Sequence, residues 1–175
     1  HGGRPTRPET GYGYIQVGPP AGKAFPGLHS VRRFVEKPEA GRARRFLRQG
    51  GFLWNAGIFA WKALARLEEI AVLAPGLAAA LGRLGSGKGR GPSPAALRAA
   101  YAAAPSLPVD VAVLERSRRV WTLPVSFRWR DVGTWASLAE ELGVNGRHNA
   151  VVAGDVMLEE SAGNLVWGQG RPIVL

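Results

Sequence analysis

The sequence predicts an α/β fold, with strands that alternate with helices, an all-helical middle and a small β-rich tail. Three observations support this expectation. Strand-like and helix-like segments alternate in the first third of the chain, a run rich in Ala, Leu and Arg fills the middle, and short β-like runs between glycines end it. With 175 residues and an apolar content of 46 %, the chain can also bury a core, which argues against a disordered protein.

The first third is predicted to contain two strands and a helix. Aromatic and β-branched residues between turn formers predict a strand over 11–17, and alternating apolar and charged residues predict another over 29–38. Pro38 ends the second strand and is expected to hold Lys37 extended. A helix is predicted over 39–48, because its apolar residues share one face and two glycines follow it.

The middle of the chain is predicted to be helical. A near-continuous apolar run, 52–61, leads into it. Ala, Leu and Arg recur at helical spacing over 62–84, and Pro75 divides this stretch into two helices. The glycine-rich segment 85–94 has the composition of a linker. Two further helical stretches follow it, at 95–103 and 108–116.

The last third returns to strands. Short β-like segments predict strands over 120–123 and 125–129. A helix is predicted over 135–142, with Thr134 as its N-cap. Glycines divide the tail, 150–175, into short β-like runs, which together indicate a small β unit.

The chain carries a formal net charge of +10, from 23 Lys and Arg against 13 Asp and Glu. Such a balance favours a polyanionic partner, such as a nucleic acid, an acidic membrane or a phosphorylated small molecule. The abundance of Arg, Ala, Gly and Pro equally indicates a GC-rich genome, with part of the charge on solvated faces. Most aromatic residues lie within apolar runs rather than between basic residues, so no nucleic-acid partner is expected.

Several classes of site are disfavoured by what the sequence lacks. Without cysteine there is no disulfide, no thiol nucleophile and no Cys-ligated zinc. The three histidines stand alone, which disfavours a zinc site and a Ser-His-Asp hydrolase. The glycine-rich run 82–89 lacks the final Ser or Thr of a phosphate-binding P-loop. The sequence contains no run of about 18 consecutive apolar residues, the length that a membrane-spanning helix needs. We therefore expect a cytoplasmic protein without a membrane partner.

Four short segments place glycine, amide or charged residues at the end of an apolar run. They read TGYGY at 10–14, FVEKP at 34–38, WNAG at 54–57 and RDVGTW at 130–135. Open α/β sheets bind ligands at the carboxyl ends of their strands, so these segments are candidates for one shared site.

The first two segments supply glycines that expose the main chain to a ligand and two charged side chains. Gly11 and Gly13 allow a ligand to approach the main chain closely. Glu36 can accept hydrogen bonds from hydroxyl groups, and Lys37 can neutralise a phosphate. Since neighbours on a regular strand face opposite sides, both can serve only where the strand ends. A surface ion pair between Glu36 and Lys37 is the structural alternative.

The other two segments supply an amide and a carboxylate. Asn55 brings a donor and an acceptor into an apolar run, although a capped turn would explain it as well. Asp131 precedes a predicted helix, where its carboxylate could bind Mg²⁺ beside the phosphates of a nucleotide. Its structural alternative is a turn residue ahead of Thr134.

These segments resemble the mannose-1-phosphate guanylyltransferases, a branch of the sugar nucleotidyltransferases. The matching residues read TRPETGYGYI at 6–15, FVEKP at 34–38, WNAGIF at 54–59 and DVGTW at 131–135, and VDVAVLE at 109–115 is similar to the family's S-I-D-Y-A-V-M-E stretch. The resemblance spans nearly the whole chain. It implies the carboxy-terminal half of a Rossmann-like nucleotidyltransferase fold, a mixed sheet flanked by helices. The absence of an initiator Met and an apolar run at the last residues also suggest a piece of a longer protein.

The resemblance implies a domain division and a reaction. Residues 1–148 would form the sugar-phosphate half of the nucleotidyltransferase domain, and 149–175 the start of a C-terminal β segment. The reaction would transfer a guanylyl group from GTP to mannose 1-phosphate, giving GDP-mannose and pyrophosphate, with Mg²⁺ as the cofactor. The implied partners are therefore these two small molecules, and a homodimer is compatible with the family.

The resemblance also implies site residues. The substrate-binding set comprises Gly13, Glu36, Lys37, Asn55 and Gly57. Gly13, Glu36 and Asn55 would hold the mannose hydroxyls. Lys37, which would meet the sugar phosphate, and Asp131, which would be a ligand of Mg²⁺, are the implied catalytic residues.

Departures from the family pattern leave some questions open. The glycine-rich G-G-x-G-x-R-L-x-P motif that grips the nucleotide is absent, so we expect this chain to hold the sugar half of the site and not to catalyse alone. Arg130 stands where Ser is usual, and Asp110 matches a family position that a helix cap explains equally well. Two alternatives stay open: transfer to another hexose 1-phosphate, such as glucose 1-phosphate, and a non-catalytic regulatory homologue that binds a sugar nucleotide.

Overall fold

The computed structural model describes residues 2–85, 91–127 and 131–175. Contacts divide the chain into two compact units, His1–Arg128 and Trp129–Leu175. The first unit contains a six-stranded mixed sheet with helices, and the second contains one helix and two small sheets. The predicted α/β class is therefore confirmed. The functional boundary between residues 148 and 149 stays a prediction.

The sheet of the first unit consists of six short strands. They are β1 (Gly2–Gly3), β2 (Tyr14–Pro20), β3 (His29–Val35), β4 (Phe52–Asn55), β5 (Trp121–Thr122) and β6 (Pro124–Val125). Their order is β5-β3-β2-β4-β1-β6, in which β1 and β6 are parallel and all other neighbours are antiparallel. Only four residues of the apolar run 52–61 form a strand, because Gly57 adopts a left-handed backbone conformation with φ of +66° and turns the chain.

Most of the predicted helices form close to their expected bounds. They are α1 (Ala40–Gln49), α2 (Ala63–Leu73), α3 (Pro75–Gly82), α4 (Pro94–Ala103) and α5 (Trp135–Glu141). Pro75 separates α2 from α3 as predicted, since a proline ring fits the first turn of a helix but not its interior. The stretch 108–116 differs from an α-helix: it forms one π-helical turn, Asp110–Leu114. Parts of the predicted linker 85–94 and strand 125–129 lie outside the described residues.

The core of the first unit lies on both faces of β2. Neighbouring side chains of a strand point to opposite faces. Tyr14 packs on one face with Phe46 of α1 and with Phe52, and these two phenylalanine rings stack with centroids 4.2 Å apart. Ile15 packs on the other face with Leu114 of the π-helical turn. The sheet therefore has α1 on one face and the π-helical turn on the other.

The second unit has little buried apolar surface. It contains α5 and the strands β7 (Ala150–Ala153), β8 (Val156–Met157), β9 (Leu165–Trp167) and β10 (Ile173–Val174). β7 pairs with β9 and β8 pairs with β10, both in parallel. The tail therefore forms short strands, as predicted. Across the described residues of both units, no helix has the length and apolarity to span a membrane.

The predicted N-cap of α5 forms, and it is the basis of a stability prediction. Thr134 Oγ1 accepts a hydrogen bond from the Ser137 backbone N–H, and Ser137 Oγ accepts one from the Thr134 N–H, both at 3.1 Å. No residue of α5 is buried, so the helix depends on its cap. We expect Thr134→Ala to lower the free energy of unfolding of this unit by about 1 kcal/mol in urea titrations. Thr134→Ser keeps the oxygen and should restore most of the loss; equal stability of both variants would contradict the assignment.

Candidate functional site

Three of the four motif segments meet at one edge of the central sheet. Tyr14 pairs with Val35 on β3 and with Trp54 on β4. Because both pairs are antiparallel, the residue before Tyr14 lies beside the residues that follow Val35 and Trp54. The strand register therefore brings Gly13, Glu36 and Asn55 together. Glu36 and Asn55 lie at the carboxyl ends of their strands as predicted, whereas Gly13 precedes β2, which begins at Tyr14 and not at residue 11.

Gly13 lies in close contact with both Glu36 and Asn55. Its carbonyl oxygen accepts a hydrogen bond from the Asn55 backbone N–H at 2.8 Å. A β-carbon placed on Gly13 would lie 2.6 Å from Glu36 Oε2 and 3.1 Å from Asn55 Cβ. Real β-carbons essentially never approach another atom within 3.0 Å. Any larger residue here would displace the Glu36 carboxylate, so glycine lets the two polar side chains lie against the main chain.

The carboxylate of Glu36 lies largely out of solvent. Its Oε2 atom is buried and has no hydrogen-bond partner among the residues that the structure describes. Burial raises the pKa of the Glu36 carboxyl group, and the negative charge of Asp110 raises it further. Lys37 opposes these effects, whereas Glu115 adds to them. A buried carboxylate oxygen without a hydrogen-bond partner is suited to accept a hydrogen bond from a ligand hydroxyl.

Lys37 does not continue β3. Its φ angle is +41°, in the left-handed region, so the expectation that Pro38 holds it extended is wrong. The left-handed turn brings two neighbouring side chains together, which a regular strand would direct to opposite faces. Lys37 Nζ lies 3.8 Å from Glu36 Oε1, and the lysine side chain remains 65 % exposed. The ion pair foreseen as an alternative is present, and the exposed ammonium group stays available to an anion.

Asn55 ends β4 with its side chain buried. Its Nδ2 donates to Asp110 Oδ1 at 3.3 Å, and its Oδ1 accepts from the Gly57 backbone N–H at 3.0 Å. The capped turn foreseen as an alternative is therefore present. Since an amide nitrogen carries two hydrogens, one Nδ2 donor is left after the bond to Asp110. Gly57 holds this turn, and its predicted contact with substrate stays a prediction, as do the ligand roles of Gly13, Glu36, Lys37 and Asn55.

The π-helical turn supplies two carboxylates that contact this site. Asp110 is the first residue of the turn and not its N-cap, which is Val109, and its side chain accepts a hydrogen bond from Asn55. The helix-cap interpretation of Asp110 is thus not what the structure shows. Glu115 follows the turn, and its Oε1 accepts a hydrogen bond from the Glu36 backbone N–H at 2.8 Å. Glu115 was matched to the family only as the last residue of the stretch 109–115, and sequence reasoning gave it no role of its own.

A cavity of about 510 Å³ lies on the side of α2, lined in part by Phe59, Trp61, Arg66 and Trp121. The Arg66 guanidinium lies over the Trp61 ring, 4.6 Å from its centroid. Burial lowers the pKa of Arg66, while Asp110 and Glu69 act to raise it. Arg66 was not among the predicted residues, and its helical surroundings do not distinguish it from the other arginines of the chain.

The fourth motif segment belongs to the other compact unit. Asp131 is exposed there, ahead of the capped helix α5. Its carboxylate lies close to Gly133, since a β-carbon placed on that glycine would be 3.6 Å from Asp131 Oδ2. Its role as a ligand of Mg²⁺ stays a prediction, and Arg130 lies outside the described residues.

Comparison with known proteins adds to this geometry. Residues 1–143 match the profile of a family described as Nucleotidyl transferase. The chain belongs to the nucleotidyl transferase family. This membership confirms the broad nucleotidyltransferase family that the motifs predicted and accounts for the mixed sheet flanked by helices.

Relatives of this nucleotidyl transferase chain are named for polysaccharide biosynthesis or for mannose-1-phosphate guanylyltransferase. It is 36 % identical over 166 residues to the xanthan biosynthesis protein XanB of Xanthomonas campestris pv. campestris, covering 94 % of this chain and 34 % of that protein. It is 35 % identical over 170 residues to a mannose-1-phosphate guanylyltransferase of Salmonella muenchen, with the same coverage of 94 % and 34 %.

A solved structure is also similar. A crystal structure of a protein described as mannose-1-phosphate geranyltransferase from Thermus thermophilus superposes with a TM-score of 0.78 and 32 % identity. The match covers 99 % of this chain and 49 % of that one. The nucleotidyl transferase chain thus spans about a third of the length of its curated relatives and about half of the Thermus protein.

Proposed function

We propose that the protein to which this chain belongs transfers a guanylyl group from GTP to mannose 1-phosphate, giving GDP-mannose and pyrophosphate. One observation carries the proposal: Gly13, Glu36 and Asn55 converge at the sheet edge around a buried carboxylate oxygen that lacks a partner among the described residues. Relatives named mannose-1-phosphate guanylyltransferase support the choice of substrate.

In this proposal the chain supplies the sugar-phosphate half of the site. The Glu36 carboxylate accepts hydrogen bonds from sugar hydroxyls, and the remaining Nδ2 hydrogen of Asn55 donates to another. Lys37, whose ammonium group is exposed beside Glu36, binds the phosphate. A phosphate oxygen of the sugar 1-phosphate then attacks the α-phosphorus of GTP, and the bond to pyrophosphate breaks. The protein contributes position and charge, and no covalent enzyme intermediate is needed.

Mg²⁺ is the cofactor in this proposal. Within the described parts of the chain, no group of three or more His, Cys, Asp or Glu side chains is arranged to hold a metal ion. Asp131 offers one exposed carboxylate. That fits Mg²⁺, which usually takes one or two protein carboxylates and completes its shell with water and substrate phosphates. When bound, the ion would neutralise charge on the triphosphate.

Pyrophosphate release by the full-length protein tests the proposal. The assay covers a grid of sugar 1-phosphates and nucleoside triphosphates, with and without Mg²⁺. We expect the largest kcat/KM with mannose 1-phosphate and GTP, and only when Mg²⁺ is present. A maximum with glucose 1-phosphate or another triphosphate would correct the substrates. No release by a folded protein that still binds a sugar nucleotide would establish the regulatory homologue instead.

The assigned role of Lys37 leads to a prediction for the sugar phosphate alone. We expect Lys37→Ala to raise KM for mannose 1-phosphate about tenfold, the low end for a lost charge-assisted hydrogen bond, because the ammonium group is exposed to solvent. KM for GTP should change little. Lys23→Ala is the matched control, since it removes the same charge from an exposed loop position. Unchanged KM for mannose 1-phosphate in Lys37→Ala would remove this residue from the site.

A further inference from the structure

The π-helical turn touches the candidate site at both of its ends. At its start, Asp110 Oδ1 accepts a hydrogen bond from Asn55 Nδ2 at 3.3 Å. Just after it, Glu115 Oε1 accepts one from the Glu36 backbone N–H at 2.8 Å. The two contacts join residues 55 and 79 positions apart in the sequence. They reach the ends of two different strands, β4 and β3.

We propose that Asp110 and Glu115 are positioning residues. In this proposal the π-helical turn holds Asn55 and the main chain at Glu36 at a fixed separation. The inference rests on the proposed function, because the site that it positions is the site for the sugar phosphate. Neither residue needs to touch the substrate. Asp110 fixes the Asn55 amide, and Glu115 fixes the main chain at Glu36.

The π-helical hydrogen bond explains how one short turn serves both contacts. Residues five apart in an α-helix lie about 140° apart around its axis, so their side chains leave on nearly opposite sides. In the π-helical turn, the Glu115 N–H donates to the Asp110 carbonyl oxygen at 2.9 Å, which places Glu115 one turn above Asp110. The two carboxylates can therefore reach the same edge of the sheet from one turn.

The middle of the turn is anchored in the core. Ala112, Val113 and Leu114 are all buried. Leu114 packs with Ile15 and Phe34 beneath the sheet, while the other two pack with Ile70 of α2. The residues between the two carboxylates therefore cannot shift without disturbing two clusters. The buried residues of the turn therefore fix the positions of the Asp110 and Glu115 carboxylates, as a positioning role requires.

Glu115 binds the main chain directly before a residue in the left-handed conformation. Lys37, next to the N–H that Glu115 binds, has a left-handed conformation that costs free energy for any residue with a β-carbon. A charge-assisted bond to the preceding N–H stabilises the main chain at this turn. Without it, we expect the strand to relax toward an extended path, which would separate the Lys37 ammonium group from the Glu36 carboxylate.

Two variants of Glu115 in the full-length protein separate its acceptor atom from its charge. Glu115→Gln keeps a side-chain oxygen for the Glu36 N–H, whereas Glu115→Ala removes it. We expect KM for mannose 1-phosphate to rise about tenfold in Glu115→Ala and less than about threefold in Glu115→Gln, with kcat and KM for GTP little changed in both. Glu159→Ala, at an exposed position of the second unit, is the control for loss of one negative charge.

The pH dependence of kcat/KM gives a second test, because it would not change if Glu115 only stabilised the fold. The groups that act on Glu36 are Asp110, Lys37 and Glu115. Glu115→Gln removes one negative charge beside Glu36 while keeping the hydrogen bond. We therefore expect the acid limb of kcat/KM for mannose 1-phosphate to shift to lower pH in Glu115→Gln, with no shift in Glu159→Ala.

The outcomes distinguish this proposal from the proposed function. Equal effects of Glu115→Gln and Glu115→Ala, or a rise in KM for GTP as large as for the sugar phosphate, would overturn the positioning role. If Glu115→Ala does not fold, Asp110→Asn and Asp110→Ala give the same test at the Asn55 contact. If the wild-type protein releases no pyrophosphate, the proposed function has failed, and calorimetric binding of mannose 1-phosphate replaces KM. Absence of that binding as well would overturn both.

Discussion

Replacing Glu36 with Gln is expected to lower kcat/KM for mannose 1-phosphate about a hundredfold and to make the protein more stable at neutral pH. The activity is lost because the amide offers one acceptor oxygen where the carboxylate offers two, and because its hydrogen bonds carry no negative charge. A hundredfold loss corresponds to about 2.7 kcal/mol, within the cost of removing hydrogen bonds to a charged group. Steady-state pyrophosphate release by the full-length protein, with mannose 1-phosphate varied at saturating GTP, measures this effect.

The gain in stability follows from the raised pKa of Glu36. Burial and the nearby negative charges raise this pKa above its ordinary value of 4.5. A carboxyl group with a raised folded-state pKa stabilises the fold fully below its unfolded pKa, and that contribution is lost as pH rises through the folded pKa. Glu36→Gln carries no such charge, so its advantage over the wild type should be absent near pH 4 and grow toward neutral pH. Urea unfolding across this pH range checks the prediction.

Glu9→Gln is the control, because the pKa of Glu9 is lowered and the expected change in stability has the opposite sign. The Gly11 backbone N–H donates to the Glu9 carboxylate, and this bond is the main cause of its lowered pKa. A carboxyl group with a lowered folded-state pKa contributes stability above its unfolded pKa and loses it as pH falls. Glu9→Gln should therefore be less stable than the wild type at neutral pH. If both variants changed stability in the same direction, burial would not be the cause of the Glu36 effect.

Gly13→Ala is expected to disable the site with little damage to the fold. The new β-carbon would lie 2.6 Å from Glu36 Oε2, so the carboxylate must move. Because that oxygen is the far end of a flexible side chain, the move itself is easy. The tighter contact is with Asn55 Cβ at 3.1 Å, and overpacking of this kind costs about 1 kcal/mol.

We expect kcat/KM for mannose 1-phosphate to fall about a hundredfold in Gly13→Ala, with the thermal midpoint lowered by a few degrees. Gly3→Ala is the matched control. Gly3 is buried in the same sheet, yet a β-carbon placed there would meet nothing within 4 Å. Normal turnover by Gly13→Ala would show that the close approach of these three residues does not hold the sugar.

Sequence reasoning worked where a single residue type or a strand end determines the structure. Pro75 punctuates a helical stretch whatever surrounds it, and the boundary between α2 and α3 was predicted for that reason. Thr134 caps α5 through bonds to a residue three positions away, which a local pattern can reveal. The meeting of Glu36 and Asn55 agrees with their predicted positions at the carboxyl ends of strands, because β3 and β4 are both antiparallel to β2 and therefore end on the same side of the sheet.

It failed where the structure depends on contacts distant in sequence. The π-helical turn has no sequence period of its own, so the apolar spacing of 108–116 predicted an ordinary helix. Glu115 acquires its role only through a bond to residue 36, 79 positions away. Lys37 was expected to be extended because proline follows it, and the tertiary contacts around it override that local preference.

The bond between the Asn55 N–H and the Gly13 carbonyl oxygen has a consequence for directed evolution. The bond joins two main-chain groups, so it does not depend on the Asn55 side chain, whereas any side chain at Gly13 would meet Glu36 Oε2 and Asn55 Cβ. Gly57 is exposed and would exclude most side chains through its left-handed turn. Lys37, exposed and already left-handed with a side chain in place, is the position where the group proposed to meet the phosphate can be varied without rebuilding the scaffold.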